Sequence, residues 1–517
     1  MANITVNIMA STMDMRIAID MMAAHKSNVS PFLDLRKDVC MKKILKYTGL
    51  SVSIIMLAVS VVFIALLINV RVVPVKHCII ATVVLVILTA VTAFTQKWFV
   101  PGIITKIIAI IMIVVLIMGS IYLNQTRHMI NKITTTQEEK IVMGVYVLND
   151  GGYDSVDMLN NKSIGIGTAV DRESTDELIK KMGADGFMAE YPEYSNIMEL
   201  AGALLQGQID AAIMKTSSIE MIDDMGDFTG FASDVKLIYS GEFTIKVAKT
   251  EENVTDNYLS SDDVINVYIS GIDSRGGINE VSRSDVNIIM SINKKTHNIL
   301  MINTPRDYYV PLSISNGVRD KLTHAGVYGI ECSRNTLEML YGIQIDYYVK
   351  VNFSGFEKII DSLGGVDVTL DYSATLSQAG NLTVHNGVNH FNGEQALAFA
   401  RERYAYSDGD RQRGRNQMMI MEAAIKKACS PAIISNYTSV LSEVSKNVIT
   451  DMSYDFIAEL AQTQLNDMAV WNITQISVTG AGSYSSTTYS MPGWSLYVMV
   501  PDEESVGNAR EQIRDNY

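Results

Sequence analysis

Two groups of charged residues carry the chemistry available to this sequence. In the first, Asp273 and Arg275 follow one apolar run, Arg283 and Asp285 precede a second, and Arg306 and Asp307 close a third. In the second group, Arg401 and Arg403 end one segment of helical spacing. Arg411, Arg413, Arg415 and Gln417 open another, with Arg413 and Gln417 one helical turn apart on the same face. Carboxylates such as Asp273 and Asp285 are hard oxygen ligands of the kind that hold Mg²⁺ together with substrate phosphates. Arginines pair bidentately with phosphate oxygens. Unpaired carboxylates would repel a diphosphate, and arginines without a metal would leave the leaving group's charge less neutralised. The combination points to phosphoryl transfer.

Each of these residues also has a non-catalytic explanation. Asp408 and Asp410 suit helix caps, and Arg411 and Arg415 suit a solvated face. Asp307 is a ready partner for Arg306, and Asp273 for Arg275. Arg283, Asp285 and Arg306, flanking apolar strands, would be worth little as surface ion pairs.

The elements that must position these groups are legible as alternating and periodic runs. Ile265, Val267 and Ile269 alternate with Asn266, Tyr268 and Ser270, the pattern of a half-buried strand that ends just before Asp273. Residues 286–292 form an apolar strand, 293–296 a turn, and 299–302 a third strand that delivers Thr304, Pro305 and Arg306. Three neighbouring strand ends thus present charge where α/β folds commonly place ligands. Helices are expected over 394–400 and around Met418, Met421 and Ile425, and residues 251–263 look like a linker.

Upstream the character changes. No Asp, Glu, Lys or Arg lies between Lys46 and Arg71, between His77 and Lys97, or between Lys106 and Arg127, so each window can cross a bilayer. These windows account for a hydrophobic content of 48% and a positive mean hydropathy of +0.15. Arg36, Lys37, Lys42, Lys43 and Lys46 precede the first, which favours a cytoplasmic amino terminus and puts everything after Arg127 outside. The net charge of -14 disfavours nucleic acid as a partner. The expected organisation is a cytoplasmic tail (1–46), three transmembrane helices (47–126), a small α/β lobe (141–247) and an α/β domain (264–517). In the lobe, residues 163–167 and 210–214 read as strands and 173–182 and 196–205 as helices, a βαβ arrangement. Residues 159–167 and 203–212 resemble one lobe of the type 2 periplasmic solute-binding fold. With the charged groups lying beyond it, this lobe is expected to be accessory and dispensable for cleavage of a diphosphate.

From residue 264 onward the chain resembles the LytR-CpsA-Psr family. The resemblance rests on Gly271-Ile272-Asp273-Ser274-Arg275, Arg283-Ser284-Asp285, Thr304-Pro305-Arg306-Asp307, Asp320-Lys321-Leu322-Thr323-His324-Ala325, Leu363-Gly364-Gly365-Val366-Asp367-Val368, Leu397 to Arg403, and Arg413 to Gln417. It implies a central mixed sheet between helices, with an apolar tunnel for a lipid tail to which Phe353, Phe356, Ile359, Ile360 and Leu363 are candidates, a core role being the alternative. It also implies a membrane-attached, Mg²⁺-dependent phosphotransferase of Gram-positive bacteria. Such an enzyme moves a glycopolymer, a teichoic acid or capsular polysaccharide, from an undecaprenyl diphosphate carrier to peptidoglycan. Asp273 and Asp285 correspond to the magnesium pair, Arg283, Arg306, Arg401, Arg403 and Gln417 to the diphosphate ligands, and Arg275 and Arg413 to helpers. The family's second arginine before the glutamine is Asn416 here, with Arg415 or Arg411 as substitutes. No Ser-His-Asp set is evident, so direct attack by an acceptor hydroxyl with a carboxylate as base is expected. Two other readings remain open: a membrane-bound envelope sensor or regulator, and a polyprenyl diphosphate hydrolase.

Overall fold

The structure is a computed structural model that describes residues 31–134, 138–168, 171–183, 187–245, 261, 263–272, 277–377, 381–406, 409–431 and 433–517. Asp273, Arg275, Asp408 and most of the expected linker lie outside the described residues. The chain divides into two units, Met1–Gln125 and Thr126–Tyr517.

In the first unit, helices α1 (Pro31–Val70), α2 (Val75–Thr95) and α3 (Phe99–Thr134) contain segments long and apolar enough to cross a membrane. Ile54, Ile79 and Ile111 are more than half exposed, as lipid-facing side chains must be. Polar side chains inside α2 are satisfied within the helix: the hydroxyls of Thr82, Thr89 and Thr92 donate to the carbonyls of Cys78, Leu85 and Leu88. α1 begins at Pro31, so the basic residues expected in a tail before the span are themselves helical.

The second unit opens with the lobe. Its elements are β1 (Glu139–Leu148), β2 (Ile164–Gly167), α4 (Arg172–Met182), β3 (Glu193–Tyr194), α5 (Ile197–Leu205), β4 (Ala211–Lys215), α6 (Thr216–Asp223) and β5 (Val235–Ile245). The expected βαβ unit is present, β2 pairing parallel with β4, and Asn196 caps α5 by accepting from the amides of Met198 and Glu199. Outside that reading lie β1 and β5, an antiparallel pair that completes the order β3-β2-β4-β1-β5.

The core of the lobe is continuous with that of the following domain. One face of its sheet packs Met198, Leu200, Ile219, Met221 and Phe228 in a cluster that also takes in Val327, Met491 and Leu496 from the following domain. Phe228 meets Trp494 edge-on at 5.4 Å.

That domain is a six-stranded mixed sheet. Its strands β6 (Val264–Ile272), β7 (Ser284–Asn293), β8 (Asn298–Asn303), β11 (Tyr347–Asn352), β16 (Val448–Thr450) and β17 (Asn472–Ser477) take the order β16-β11-β6-β7-β8-β17. Short antiparallel ribbons lie outside this sheet: β9 (Tyr309–Pro311) with β10 (Arg319–Lys321), β12 (Val366–Leu370) with β15 (Gly387–Phe391), and β13 (Ala374–Leu376) with β14 (Leu382–Val384). Helices α7 (Ile330–Tyr341) and α13 (Glu503–Asp515) cover one face, α10 (Asp410–Ala428) and α12 (Tyr454–Asp467) the other. Between α7 and α10 the chain forms α8 (Phe353–Ser362) and α9 (Gly393–Arg401), and α11 (Ile433–Asn447) precedes α12.

β6 is buried at all nine positions, not half-buried as its alternation suggested. Ile265, Val267 and Ile269 enter the core under α10 and α12, and the polar side chains enter the opposite face, where they find hydrogen-bond partners. Asn266 donates to the Gln344 carbonyl and to the Tyr517 hydroxyl, and Tyr268 donates to Asn287. Ile360 and Leu363, with Phe356 and Ile359 against them, belong to a core cluster of α8, α9 and α10, which is the core reading of those candidates. Phe353 instead carries the Arg401 guanidinium over its ring at 4.8 Å.

Candidate functional site

β6, β7 and β8 are neighbours, so the three expected strand ends do converge. The ladder pairs Ile272, the residue before Asp273, with Ser284, the residue before Asp285. Asp285 lies inside β7 with its side chain 13% exposed. Arg306, carried past the end of β8, places Nη1 at 3.2 Å from both Asp285 oxygens. The Thr323 hydroxyl donates to Oδ1 at 3.2 Å. Burial alone would raise the Asp285 carboxyl, but Arg306, Arg283 and Arg413 outweigh it and hold it below the usual carboxylate range. A largely buried carboxylate, held by Arg306 and within the field of Arg283 and Arg413, is the centre of the site. These are not the surface ion pairs that composition alone allowed.

Two close approaches build this centre. A Cβ on Gly326 would stand 2.5 Å from the Ser282 carbonyl oxygen and 2.8 Å from the Ser284 amide, so only glycine lets the turn after Ala325 lie against the backbone that presents Arg283. A Cβ on Gly414 would meet the Asn303 side chain at 2.1 Å, and its absence lets α10 bring Arg413 against the end of β8.

Arg283, Arg306, Asp307, Lys321, Thr323 and His324 line a cavity of about 270 Å³. Asp307 pairs with Lys321 at 3.1 Å and more loosely with Arg306 Nε at 3.7 Å. His324 Nδ1 lies 2.8 Å from Asp320 Oδ1 and 2.9 Å from the Ser490 hydroxyl, and Ser490 N donates to Asp320 Oδ2. Asp320, His324 and Ser490 therefore form a small polar cluster. Its wiring is not that of a nucleophilic triad, because serine and aspartate meet the same ring nitrogen and none is left between serine and base.

The second charged group does not line the cavity, although Arg413 acts on Asp285 beside it. Arg401 closes α9 and Arg403 lies over the Tyr404 ring at 4.8 Å. Between them Glu402, fully buried, accepts from the amides of Arg403, Tyr404 and Ala405 and so shapes the turn. Arg413 and Gln417 occupy the first turns of α10, Arg413 buried and Gln417 half-buried. α10 has Gly409 at its N-cap with no side-chain cap, so Asp410 is its first helical residue and not its cap. Asn416 is fully buried, accepting from Gln412 and donating to the Phe399 carbonyl. This position faces the core and has no room for a guanidinium. Arg415 donates to Gln412, and Arg411 is exposed.

Among the described residues no three His, Cys, Asp or Glu side chains gather as a metal-binding group. Asp285 nonetheless offers what a hard cation needs, an ionised carboxylate with acceptor capacity left on its oxygens. The lobe contributes residues that the sequence reading missed altogether. Glu220 and Asp224 pair with Arg283, and Met221, Asp224, Met225 and Gly226 form part of the cavity wall.

At the strand ends of this mixed α-β-α sheet, then, arginine charge converges on a largely buried carboxylate. Residues 236–501 match the LytR_cpsA_psr family. Over 265 residues the chain is 31% identical to the polyisoprenyl-teichoic acid–peptidoglycan teichoic acid transferase TagU of Bacillus mycoides, covering 51% of this chain and 83% of the relative. It is 33% identical over 247 residues to the protein of the same name from Halalkalibacterium halodurans, covering 48% and 77%. The crystal structure of B. subtilis TagV matches at 26% identity with a TM-score of 0.42, covering 50% of this chain and 98% of that one. The chain belongs to the LytR-CpsA-Psr family.

Proposed function

We propose that this protein transfers a glycopolymer, a teichoic acid or capsular polysaccharide, from an undecaprenyl diphosphate carrier to peptidoglycan. The observation that carries this reading is Asp285 at the converging strand ends, with both oxygens 3.2 Å from Arg306 Nη1 and the charges of Arg283 and Arg413 acting on it. A site that keeps one carboxylate charged among several guanidiniums suits a ligand that brings both anion and cation. Asp285, with Asp273, would hold Mg²⁺, which when bound neutralises charge on the diphosphate. Arg283 and Arg306 grip the diphosphate, with Arg401, Arg403 and Gln417 as further ligands and Arg275 and Arg413 as helpers. The acceptor hydroxyl attacks the phosphorus that bears the saccharide and gives its proton to a carboxylate of the site. The bond to the polyprenyl phosphate breaks, and polyprenyl phosphate leaves. α1 to α3 keep the site at the bilayer that holds the donor, with residues after Arg127 on the outer side.

The test uses full-length protein in detergent with a lipid-linked saccharide and peptidoglycan fragments, with Mg²⁺ or with a chelator. Saccharide joined to the acceptor, with polyprenyl phosphate released only when Mg²⁺ is present, supports the reading. Release without joining marks a hydrolase, and binding without any turnover marks a sensor. Cytoplasmic labelling of a cysteine introduced at an exposed position of the sheet domain would overturn the orientation.

A further inference from the structure

The contact between the lobe and Arg283 is specific to a chain that carries such a lobe, and neither the phosphate chemistry nor the fold requires it. Arg283 is 8% exposed. Its Nη1 donates to Asp224 and its Nη2 lies 3.3 Å from Glu220. Its Nε is buried without a hydrogen-bond partner. The guanidinium is thus held by two carboxylates at its outer nitrogens, the pair of donors that would fork onto a phosphate.

Nothing in α6 itself accounts for these carboxylates. Glu220 lies in the last turn and Asp224 is the C-cap, the end of a helix where negative charge is unfavourable. Asp223, between them, has a structural task, accepting from the amides of Gly230 and Ala232. Glu220 and Asp224 are turned to Arg283 instead, with side chains 40% and 61% exposed, and Asp224 lines the cavity. The carboxylate ends of both pairs face solvent, so their hold on Arg283 is partly screened. A diphosphate with its metal offers Arg283 more charge at the same nitrogens.

We propose that Glu220 and Asp224 form a gate supplied by the lobe, holding Arg283 until a diphosphate-bearing donor displaces them. The lobe thereby sets how tightly the donor binds and which donors are charged enough to open the site. This rests on the reading of Arg283 as a diphosphate ligand.

The experiment titrates full-length protein in detergent with undecaprenyl diphosphate and Mg²⁺. Glu220→Gln/Asp224→Asn removes both charges at constant size and is expected to tighten binding by about tenfold, the size of two partly screened ion pairs. Glu173→Gln/Glu177→Gln, which removes two exposed charges from α4, is expected to leave binding unchanged. In the Arg283→Gln background the gain from opening the gate is expected to disappear, a coupling that a merely structural role would not produce. Should the double variant fail to fold, Glu220→Gln alone reads the same gain at smaller size. Unchanged or weaker donor binding in a folded gate variant overturns the gate. Wild-type donor binding in Arg283→Gln instead overturns the assignment of Arg283, whatever the gate variants do.

Discussion

Glu139, the first residue of β1, and Lys350, in β11, form an ion pair of 2.7 Å with side chains only 2% and 3% exposed. The other Glu139 oxygen accepts from the Ile330 amide, and Lys350 also donates to the Glu280 carbonyl. Both charges are fully satisfied, so the pair is a fixed joint between the lobe and the central sheet.

Removing one partner leaves the other charged and buried. Glu139→Ala is expected to cost about 3–5 kcal/mol. Lys140→Ala breaks only the exposed pair with Glu242 and should cost under about 1 kcal/mol. Denaturant unfolding followed by tryptophan fluorescence checks both. Equal losses would mean that the buried joint contributes nothing special.

At the site, Asp285→Asn keeps shape and removes charge. It is expected to lower the transfer rate by about a thousandfold, ~4 kcal/mol of transition-state stabilisation, with circular dichroism unchanged. Arg306→Lys keeps the charge but not the planar fork, and a loss of about tenfold or more is expected in the same assay.

Gly326→Ala places a methyl group against the backbone of Ser282 and Ser284. The overlap is with main chain, which cannot swing aside, and costs about 1–3 kcal/mol. Because the strain falls on the segment carrying Arg283, donor affinity should drop further than stability. A variant with normal affinity and reduced stability would show that the shift is absorbed elsewhere.

A pH effect is expected from Glu331, which pairs with Arg334. Burial pushes its carboxyl up; Arg334 pulls it back, but Asp451, Glu139 and Glu338 add to the rise and leave it at about 7. A carboxyl raised in the folded state contributes stability below its unfolded value near 4.5, and this is lost as the pH climbs to about 7. Over that window the wild type should lose up to about 3 kcal/mol relative to Glu331→Gln. Parallel stability curves for the two proteins would reject the raised carboxyl.

How far the sequence reached depends on the distance over which each feature is decided. β7, β8, α9 and the lobe's βαβ unit follow from apolar spacing within a few residues, and they were legible. The burial of Asn266 and Tyr268 was not, because it depends on Gln344, Tyr517 and Asn287, partners far along the chain. Arg283, Asp285 and Arg306 stood out as charges beside apolar strands. Glu220 and Asp224 did not, since acidic residues four apart on a short helix look like any solvated face until the fold sets Arg283 beside them.

The chain enters the lobe through β1 and leaves through β5, and Glu139 pairs with Ile245 at the same end of that ladder. A pull on such a ladder from its two ends would part it one hydrogen bond at a time, like a zipper, the geometry of least mechanical resistance. The first rung is fastened elsewhere, however. Glu139 grips Lys350, and Lys140 bonds through its backbone to Asn279 and Val281. Tension arriving from α3 therefore passes at Glu139 straight into the central sheet. The lobe hangs beside that load path rather than in it.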